Sequence, residues 1–265
     1  EKGFFAKQGL DVDIRIESSW AGIRDRLATG MLDGAQMQAP MPLAATLGID
    51  GIGVPMVTAM TLNLNGGAVG VSESIWRELR PRRREPLSTG RALASMLIRD
   101  RLLGRSRRVF AHPFPFSSHN YLLRYWLAAC DIDPERDLSL EVIPSSMLVQ
   151  HLGDGRIDGF CVSAPYAGMA EAESCGYRLV NNYQIWNNAP GTVLGVTAAW
   201  GRAHPRTHRA LVAALGSGHK LNIDGIGGGA AVTTKVAMLS RSEAEGCDID
   251  YFFAQVSVED GLVDF

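Results

Sequence analysis

The 265-residue sequence has almost no surplus of charge, no close pair of cysteines and no long uninterrupted apolar run. Each absence removes a class of protein. Its 26 Lys and Arg against 28 Asp and Glu give a net charge of −2, which argues against a generally basic, nucleic-acid-binding surface. The four cysteines, Cys130, Cys161, Cys175 and Cys247, form no CxxC or comparable ligand pair, so neither a disulfide framework nor a zinc site is indicated and they read as ordinary buried thiols. The least charged stretch, Ala39 to Ser72, carries only Asp50, yet Pro40, Pro42 and Pro55 interrupt it before a membrane span could form. The residues after Glu1 are neither a basic n-region nor an apolar h-region, so a signal peptide is not expected within the sequence and the compartment is not legible from it.

What is present is a globular composition: 46% hydrophobic, 20% charged, mean hydropathy +0.01. With 29 glycines and 12 prolines it fits many short elements joined by turns, in one large domain or two lobes. A weak internal repeat favours the lobes. In the first copy Leu10 to Ile16 alternates as a half-buried strand. Ser18 or Ser19 then caps a helix containing Ile23 and Leu27, Gly30 stops it, and Asp33-Gly34 turns into Ala35-Gln-Met37. In the second, 125 residues on, Leu138 to Ile143 is the strand, Ser145 or Ser146 the cap, Leu148 and Leu152 the buried face, and Asp158-Gly159 the turn into Phe160-Cys-Val162. Each copy reads as a βαβ unit with a parallel crossover, and two such units suggest two α/β lobes with a cleft. The helix N-termini follow strand C-termini, where free N–H groups suit a small anion.

Residues 77–108 carry eleven arginines, among them Arg82-Arg-Arg84 and Arg107-Arg108, against Glu78, Glu85 and Asp100. This is either a docking patch for an acidic partner or a solvated helical face. The absence of interleaved aromatics favours the face, and Leu93, Met96 and Leu97 make part of it an amphipathic helix.

Several motifs then carry a resemblance. Glu1-Lys-Gly-Phe-Phe5, Ser19-Trp20 with Arg24-Asp25, Leu32-Asp-Gly-Ala-Gln36, Ala39-Pro-Met-Pro-Leu-Ala44, Leu62-Asn-Leu-Asn-Gly66, Phe114-Pro-Phe-Ser-Ser-His119, Arg124-Tyr-Trp126 and Ile185-Trp186 occur in the order found in nitrate, nitrite and bicarbonate solute-binding proteins of ABC importers and their cytoplasmic nitrate-sensing relatives. The resemblance spans residues 1 to about 209. It implies a two-lobed type II periplasmic-binding-protein-like α/β fold, N-terminally truncated because the family's first strand and helix are missing, with no enzyme chemistry, cofactor or metal. It also implies the boundaries: 1–75 as lobe I, 76–108 as an Arg-rich connection, 109–184 as lobe II, and 185–213 as a return to lobe I.

The same resemblance implies a ligand set of Trp20, Ala21, Gln36, Asn65, Gly66, Ser118, His119 and Thr192 around a small oxyanion in the interlobe cleft. Trp20 would offer an indole N–H beside the backbone of Ala21 and Gly22, or else is a core aromatic. Asn65 and Gly66 would offer an amide and a close backbone, or else form a hairpin turn. Gln36 and Gln38 are further amide donors or cleft-wall residues. His119, behind Ser117-Ser118, would add positive charge if protonated, or else is a capping residue; His112 and His151 are weaker candidates. Thr192 stands where nitrate-binding members commonly have Lys, and keeps only a hydroxyl to donate. The loss of that charge leaves the choice of anion open.

Beyond Arg209 a second resemblance begins. Ala214-Leu-Gly-Ser-Gly218, Asp224-Gly-Ile-Gly-Gly228, Thr233-Thr-Lys-Val-Ala237, Asp248-Ile-Asp-Tyr251 and Phe253-Ala-Gln-Val-Ser-Val258 are similar to the N-terminal part of the methylaconitate isomerase and oxalomesaconate tautomerase family. Residues 214–265 are thus expected to be a β-rich segment of different origin. Lys235 matches a proposed acid/base lysine of that family, but its partner cysteine motif is not reached and Cys247 does not match it, so isomerase activity is not expected. Asp224 to Gly229 lacks a Walker ending and reads as a turn. The expected function is small-anion binding for ABC import or nitrate-responsive regulation. The partner is then an importer permease or a cytoplasmic regulator, and the location periplasmic or membrane-associated, or alternatively cytoplasmic.

Overall fold

The computed structural model describes residues 3–79 and 85–225, with side chains as far as residue 217. Arg82 to Arg84, Lys235, Cys247 and the strands expected at 232–239 and 252–258 lie outside the described residues. The chain divides into two compact units: residues 1–64 with 190–265, and residues 65–189.

In unit 1, α1 (Phe4–Lys7) and α2 (Trp20–Ala28) precede β1 (Ala35–Gln38), α3 (Met41–Leu47) and β2 (Met56–Leu64). After unit 2 the chain returns through β8 (Pro190–Thr197), α10 (Ala198–Ala203) and α11 (Pro205–Gly225). Helix α2 is defined at its start by Ser19, whose Oγ accepts from the Gly22 N–H at 3.0 Å, and it buries Ile23 and Leu27. Gly30 follows at φ 76, a left-handed conformation that a Cβ penalises. The sheet has the order β1-β8-β2 and is antiparallel throughout, with Gln38 opposite Thr192 and Thr192 opposite Asn63.

The strand expected at Leu10 to Ile16 does not form among the described residues. Val12, Ile14 and Ile16 are 37–51% exposed and the segment joins no ladder. Alternation is a necessary pattern for a strand, but without a pairing neighbour it has nothing to bond to. The first repeat therefore supplies an αβ pair rather than a complete βαβ unit.

In unit 2 the chain runs β3 (Gly67–Ser72), α4 (Glu73–Leu79), α5 (Pro86–Leu102), β4 (Arg108–His112), α6 (Ser118–Ala129), β5 (Leu138–Val142), α7 (Ser145–Gly153), β6 (Gly159–Ser163), α8 (Tyr166–Ala172), β7 (Gly176–Asn181) and α9 (Asn182–Ile185). Its five strands are ordered β5-β4-β6-β3-β7, with β4 parallel to β5 and β6, and β3 antiparallel to β6 and β7. The second repeat is thus β5-α7-β6 with β4 between its strands, and its helix is preceded by Pro144 without a serine cap. Period-two alternation sorts the sheet's faces. Val69, Val71, Phe110 and Cys161 pack with Leu93, Leu123 and Trp126, while Ala68, Ala111, Phe160 and Val162 pack with Leu148, Leu152 and Tyr166.

Three expected boundaries move. β3, expected in lobe I, belongs to the unit 2 sheet, because its alternate valines complete that core. The Arg-rich segment is no connector: α5 buries Leu93, Met96 and Leu97 in the same core, its start held by Glu85, which accepts from the Leu87 and Ser88 N–H groups. Among the described residues five of its arginines are in ion pairs, Arg77 with Glu73, Arg99 with Glu78, Arg101 with Asp137, and Arg105 and Arg108 with Asp100. Finally, α11 runs continuously past Arg209, and Leu215, expected in the segment of different origin, packs with Leu62 and Leu194 in unit 1.

Candidate functional site

The anticipated ligand residues fall into two sets, one in each unit. In unit 1, Trp20 is the first residue of α2 rather than a loop residue, and it is half-buried. The Gly22 N–H is taken by Ser19 Oγ and the Ile23 N–H by the Ser19 carbonyl at 3.1 Å, so Gly22 is no longer a backbone donor. Trp20 and Ala21 retain the two helix-start N–H groups that have no acceptor within α2.

Buried Gln36 and Thr192 form a chain of neutral groups with half-buried Asn63. Gln36 Nε2 donates to Thr192 Oγ1 at 3.2 Å, and Thr192 Oγ1 donates its single proton to Asn63 Oδ1, which also accepts from the Thr192 N–H at 2.6 Å. The hydroxyl expected to face a ligand is therefore committed inside the sheet, because a hydroxyl has only one proton. Gln36 keeps a second amide N–H. Gln38, 2% exposed, has an Oε1 without a hydrogen-bond partner.

In unit 2, Asn65 and Gly66 are both left-handed, at φ 55 and φ 76. Two consecutive positive φ values are the signature of a hairpin turn, yet β2 and β3 lie in different sheets, so this pair carries the chain between the units instead. The Gly66 carbonyl accepts from the Ala164 N–H at 2.7 Å. Asn65 is 3% exposed. Its Oδ1 accepts from the Ala189 N–H at 3.1 Å, while its Nδ2 is buried without a partner. An unpaired buried donor costs about 1–3 kcal/mol, so it marks a place where an acceptor belongs.

The other candidates of unit 2 lie at the start of helix α6. Ser117 is its cap, accepting from the Asn120 N–H at 3.1 Å; Ser118 and His119 occupy the first turn, 6% and 3% exposed. The condition under which His119 would bring a positive charge, protonation, is not met at neutral pH. Burial, followed by the nearby His112, pulls its pKa down from 6.5 to about 4, so it is neutral at pH 7. His112 is likewise lowered to about 4, mainly by burial, and its Nδ1 donates to the Phe114 carbonyl at 3.1 Å. His151 sits on α7, away from these groups in sequence and in its partners.

Two residues without an assigned role in the sequence reading adjoin His119. Asn182 Nδ2 lies 3.5 Å from His119 Nδ1, and Cys161 Sγ donates to Asn182 Oδ1 at 3.6 Å. Cys161 had been read as an ordinary buried thiol, and no local motif joins it to Asn182; the register of β6 and β7 on either side of β3 does. Among the described residues no group of three or more His, Cys, Asp or Glu is arranged to hold a metal, and no helix is long and apolar enough to cross a membrane. Both sets offer hydrogen-bond donors without a buried cation.

These features can be set beside known proteins. The chain is 43% identical over 217 residues to the bicarbonate transport ATP-binding protein CmpC of Synechocystis, covering 81% of this chain and 31% of that protein. It is 32% identical over 230 residues to the bicarbonate-binding protein CmpA of Synechococcus elongatus, covering 81% and 48%. The crystal structure of the periplasmic nitrate-binding protein NrtA from Synechocystis superposes with a TM-score of 0.70 at 29% identity, over 82% of this chain and 55% of that one. The chain thus spans between about a third and about half of the relatives it matches, and it has the fold of periplasmic binding proteins. Residues 199–265 match the model described as PrpF protein, in agreement with the second resemblance, and this match overlaps the first within α10 and α11. Residues 1–220 match the model of the NMT1-like family, and the chain belongs to that family.

Proposed function

We propose that the protein binds a small oxyanion of the nitrate, nitrite and bicarbonate class, and that it does so as a binding component and not as an enzyme. The observation that carries this reading is Asn65, whose amide N–H₂ is buried without a partner while its carbonyl is anchored to Ala189. An acceptor-rich anion satisfies such a donor without requiring a counter-charge, and neutral His119, in the same unit, is a donor of the same kind; in unit 1 the helix-start N–H groups of Trp20 and Ala21 also suit an anion. The printed names of CmpA and NrtA support the ligand class: one is a bicarbonate-binding and the other a nitrate-binding protein.

The absence of a buried cation in either set favours modest affinity and ready release. A charge-assisted hydrogen bond contributes about 1.5–3 kcal/mol, or about one to two decades in affinity. Thr192, which stands in place of the usual lysine and whose proton is committed to Asn63, supplies none of it.

The setting in which the anion is bound is an ABC import system, either delivering the anion to a permease or reporting its level. The second role is favoured by one finding: identity to CmpC, 43%, exceeds identity to CmpA, 32%. Matches that each cover 81% of the chain must overlap over most of it, so the part shared with the ATP-binding protein is largely the part shared with the binding protein. A periplasmic location accompanies delivery and a cytoplasmic one accompanies reporting. The match to the PrpF protein model, confined to residues 199–265, does not extend to the donor sets described above.

Thermal unfolding with and without each anion tests the reading. A ligand present at 100 times its dissociation constant adds about 2.7 kcal/mol to stability. The reading expects at least one of nitrate, nitrite and bicarbonate to raise the melting temperature above an equal concentration of chloride, and it fails if none does.

A further inference from the structure

His119 can donate to an anion only if its proton sits on the nitrogen that faces away from its protein partner, and a neutral imidazole carries one proton on either of two nitrogens. The neighbours of His119 decide which. Asn182, 1% exposed, lies between His119 and Cys161, with Nδ2 3.5 Å from His119 Nδ1 and Oδ1 3.6 Å from Cys161 Sγ. Cys161 is completely buried, and burial pushes its thiol pKa up, so it holds its proton. That S–H has Asn182 Oδ1 as its acceptor.

The orientation of Asn182 follows. With Oδ1 accepting from the thiol, its Nδ2 faces His119 Nδ1; an amide nitrogen can only donate, so Nδ1 must be bare and the proton resides on Nε2. The reversed amide would point Nδ2 at the sulfur, turn Oδ1 to accept from His119 Nδ1–H and leave Nε2 a lone pair, which repels an anion. The two arrangements have opposite chemistry at the same place. Asn182 faces Nδ1 of the ring, so Nε2 is the nitrogen turned away from it.

A second observation shows that this trio is built into the sheet. Gly67, at the start of β3, lies so close to the pair that a Cβ there would stand 2.5 Å from Asn182 Nδ2, 2.9 Å from the Val162 carbonyl and 3.0 Å from His119 Cε1. Any larger residue would displace both side chains. We infer that Cys161 and Asn182 are positioning residues which hold His119 in its Nε2–H tautomer, so that a neutral histidine presents a hydrogen-bond donor to the bound oxyanion. The inference rests on the proposed anion-binding role for the use of that donor, but the tautomer itself does not depend on any ligand.

The test is the histidine ring nitrogen spectrum of the ¹⁵N-labelled full chain at pH 7 without ligand, with His119→Gln identifying the signal. The expected result is a neutral ring protonated on Nε2. Cys161→Ser, which keeps a donor, retains that tautomer and the nitrate and bicarbonate affinities, whereas Cys161→Ala and Asn182→Leu give a mixed population and weaken binding about tenfold. A signal protonated chiefly on Nδ1 in the unaltered protein overturns the inference, as does equal behaviour of the serine and alanine variants at Cys161. If the unaltered protein binds neither anion, the functional reading fails while the ligand-free spectrum still decides the tautomer. If the variants do not fold, the spectrum of the unaltered protein decides it alone.

Discussion

Asn65 engages both backbone polar groups of Ala189: its N–H donates to the Ala189 carbonyl at 2.8 Å, and its side-chain Oδ1 accepts from the Ala189 N–H at 3.1 Å. These residues are the two ends of unit 2, so a single side chain closes 125 residues of chain at the points where it leaves and rejoins unit 1. Asn65 makes this contact from a left-handed φ of 55.

Replacing Asn65 separates its roles. Asn65→Ala places a Cβ-bearing residue without a compensating polar group in the left-handed region, at about 1–2 kcal/mol, and removes one of the two acceptors of the Ala189 N–H, which keeps the Trp186 carbonyl at 3.2 Å, at about 0.5–1.5 kcal/mol. Asn65→Gly incurs only the second cost. Urea unfolding should therefore rank the unaltered protein above Asn65→Gly and that above Asn65→Ala.

The buried histidines set a pH dependence. His112 and His119 are lowered from 6.5 to about 4 in the folded chain. Above pH 6.5 both folded and unfolded states leave them neutral and stability does not change on their account. Below it the unfolded chain takes up protons that the folded one refuses, so stability falls with pH down to about 4, by up to about 1.4 kcal/mol per unit for each histidine. Asp100, for which burial is outweighed by its bonds to Arg108 and Arg105, is held below 3.8 and loses its contribution only in more acid solution. Urea midpoints between pH 7.5 and 4.5 should show this slope, reduced in His112→Gln.

Asp100 is 3% exposed and bonded by Arg105 and Arg108 at 2.8 Å each, while Arg108 continues to Asp158 at 2.9 Å. Asp158 in turn accepts from the Val109 N–H at 2.9 Å, which fixes the end of β4 against β6. Asp100→Asn should destabilise the chain by about 1–3 kcal/mol without changing anion affinity, since none of these groups belongs to either donor set. A urea midpoint paired with a binding isotherm checks both halves.

Gly67→Ala should damage function more than its size suggests. Its methyl would meet Asn182, the Val162 carbonyl and His119, at about 1–3 kcal/mol of overpacking, and it would separate the two side chains. Lower melting temperature together with weaker nitrate and bicarbonate binding is expected; unchanged binding would show that the His119 environment is not used.

Much of this was legible in the sequence where the signal is local. The helix capped by Ser18 or Ser19, containing Ile23 and Leu27 and stopped by Gly30, forms with Ser19 as its cap, and the amphipathic run at Leu93, Met96 and Leu97 is a core helix. What failed was non-local. Leu10 to Ile16 has the alternation of a strand, yet strand formation depends on a neighbour that no pattern within seven residues reports. Asn65-Gly66 has the dihedral angles of a hairpin but joins strands that pair elsewhere. The protonation state of His119 is not legible locally, because the burial that neutralises it comes from the fold around it. Thr192 was read as a donor because its acceptor, Asn63, lies 129 residues away in the chain. For the same reason Cys161 and Asn182 were passed over.

Isothermal titration of the full chain and of Asn65→Gly with nitrate, nitrite and bicarbonate at pH 7 tests the central claim most directly. The account predicts saturable one-site binding of at least one of these anions at constant ionic strength, weakened about tenfold when the Asn65 donor is removed. Absence of binding for all three, or equal affinity in the two proteins, would contradict it.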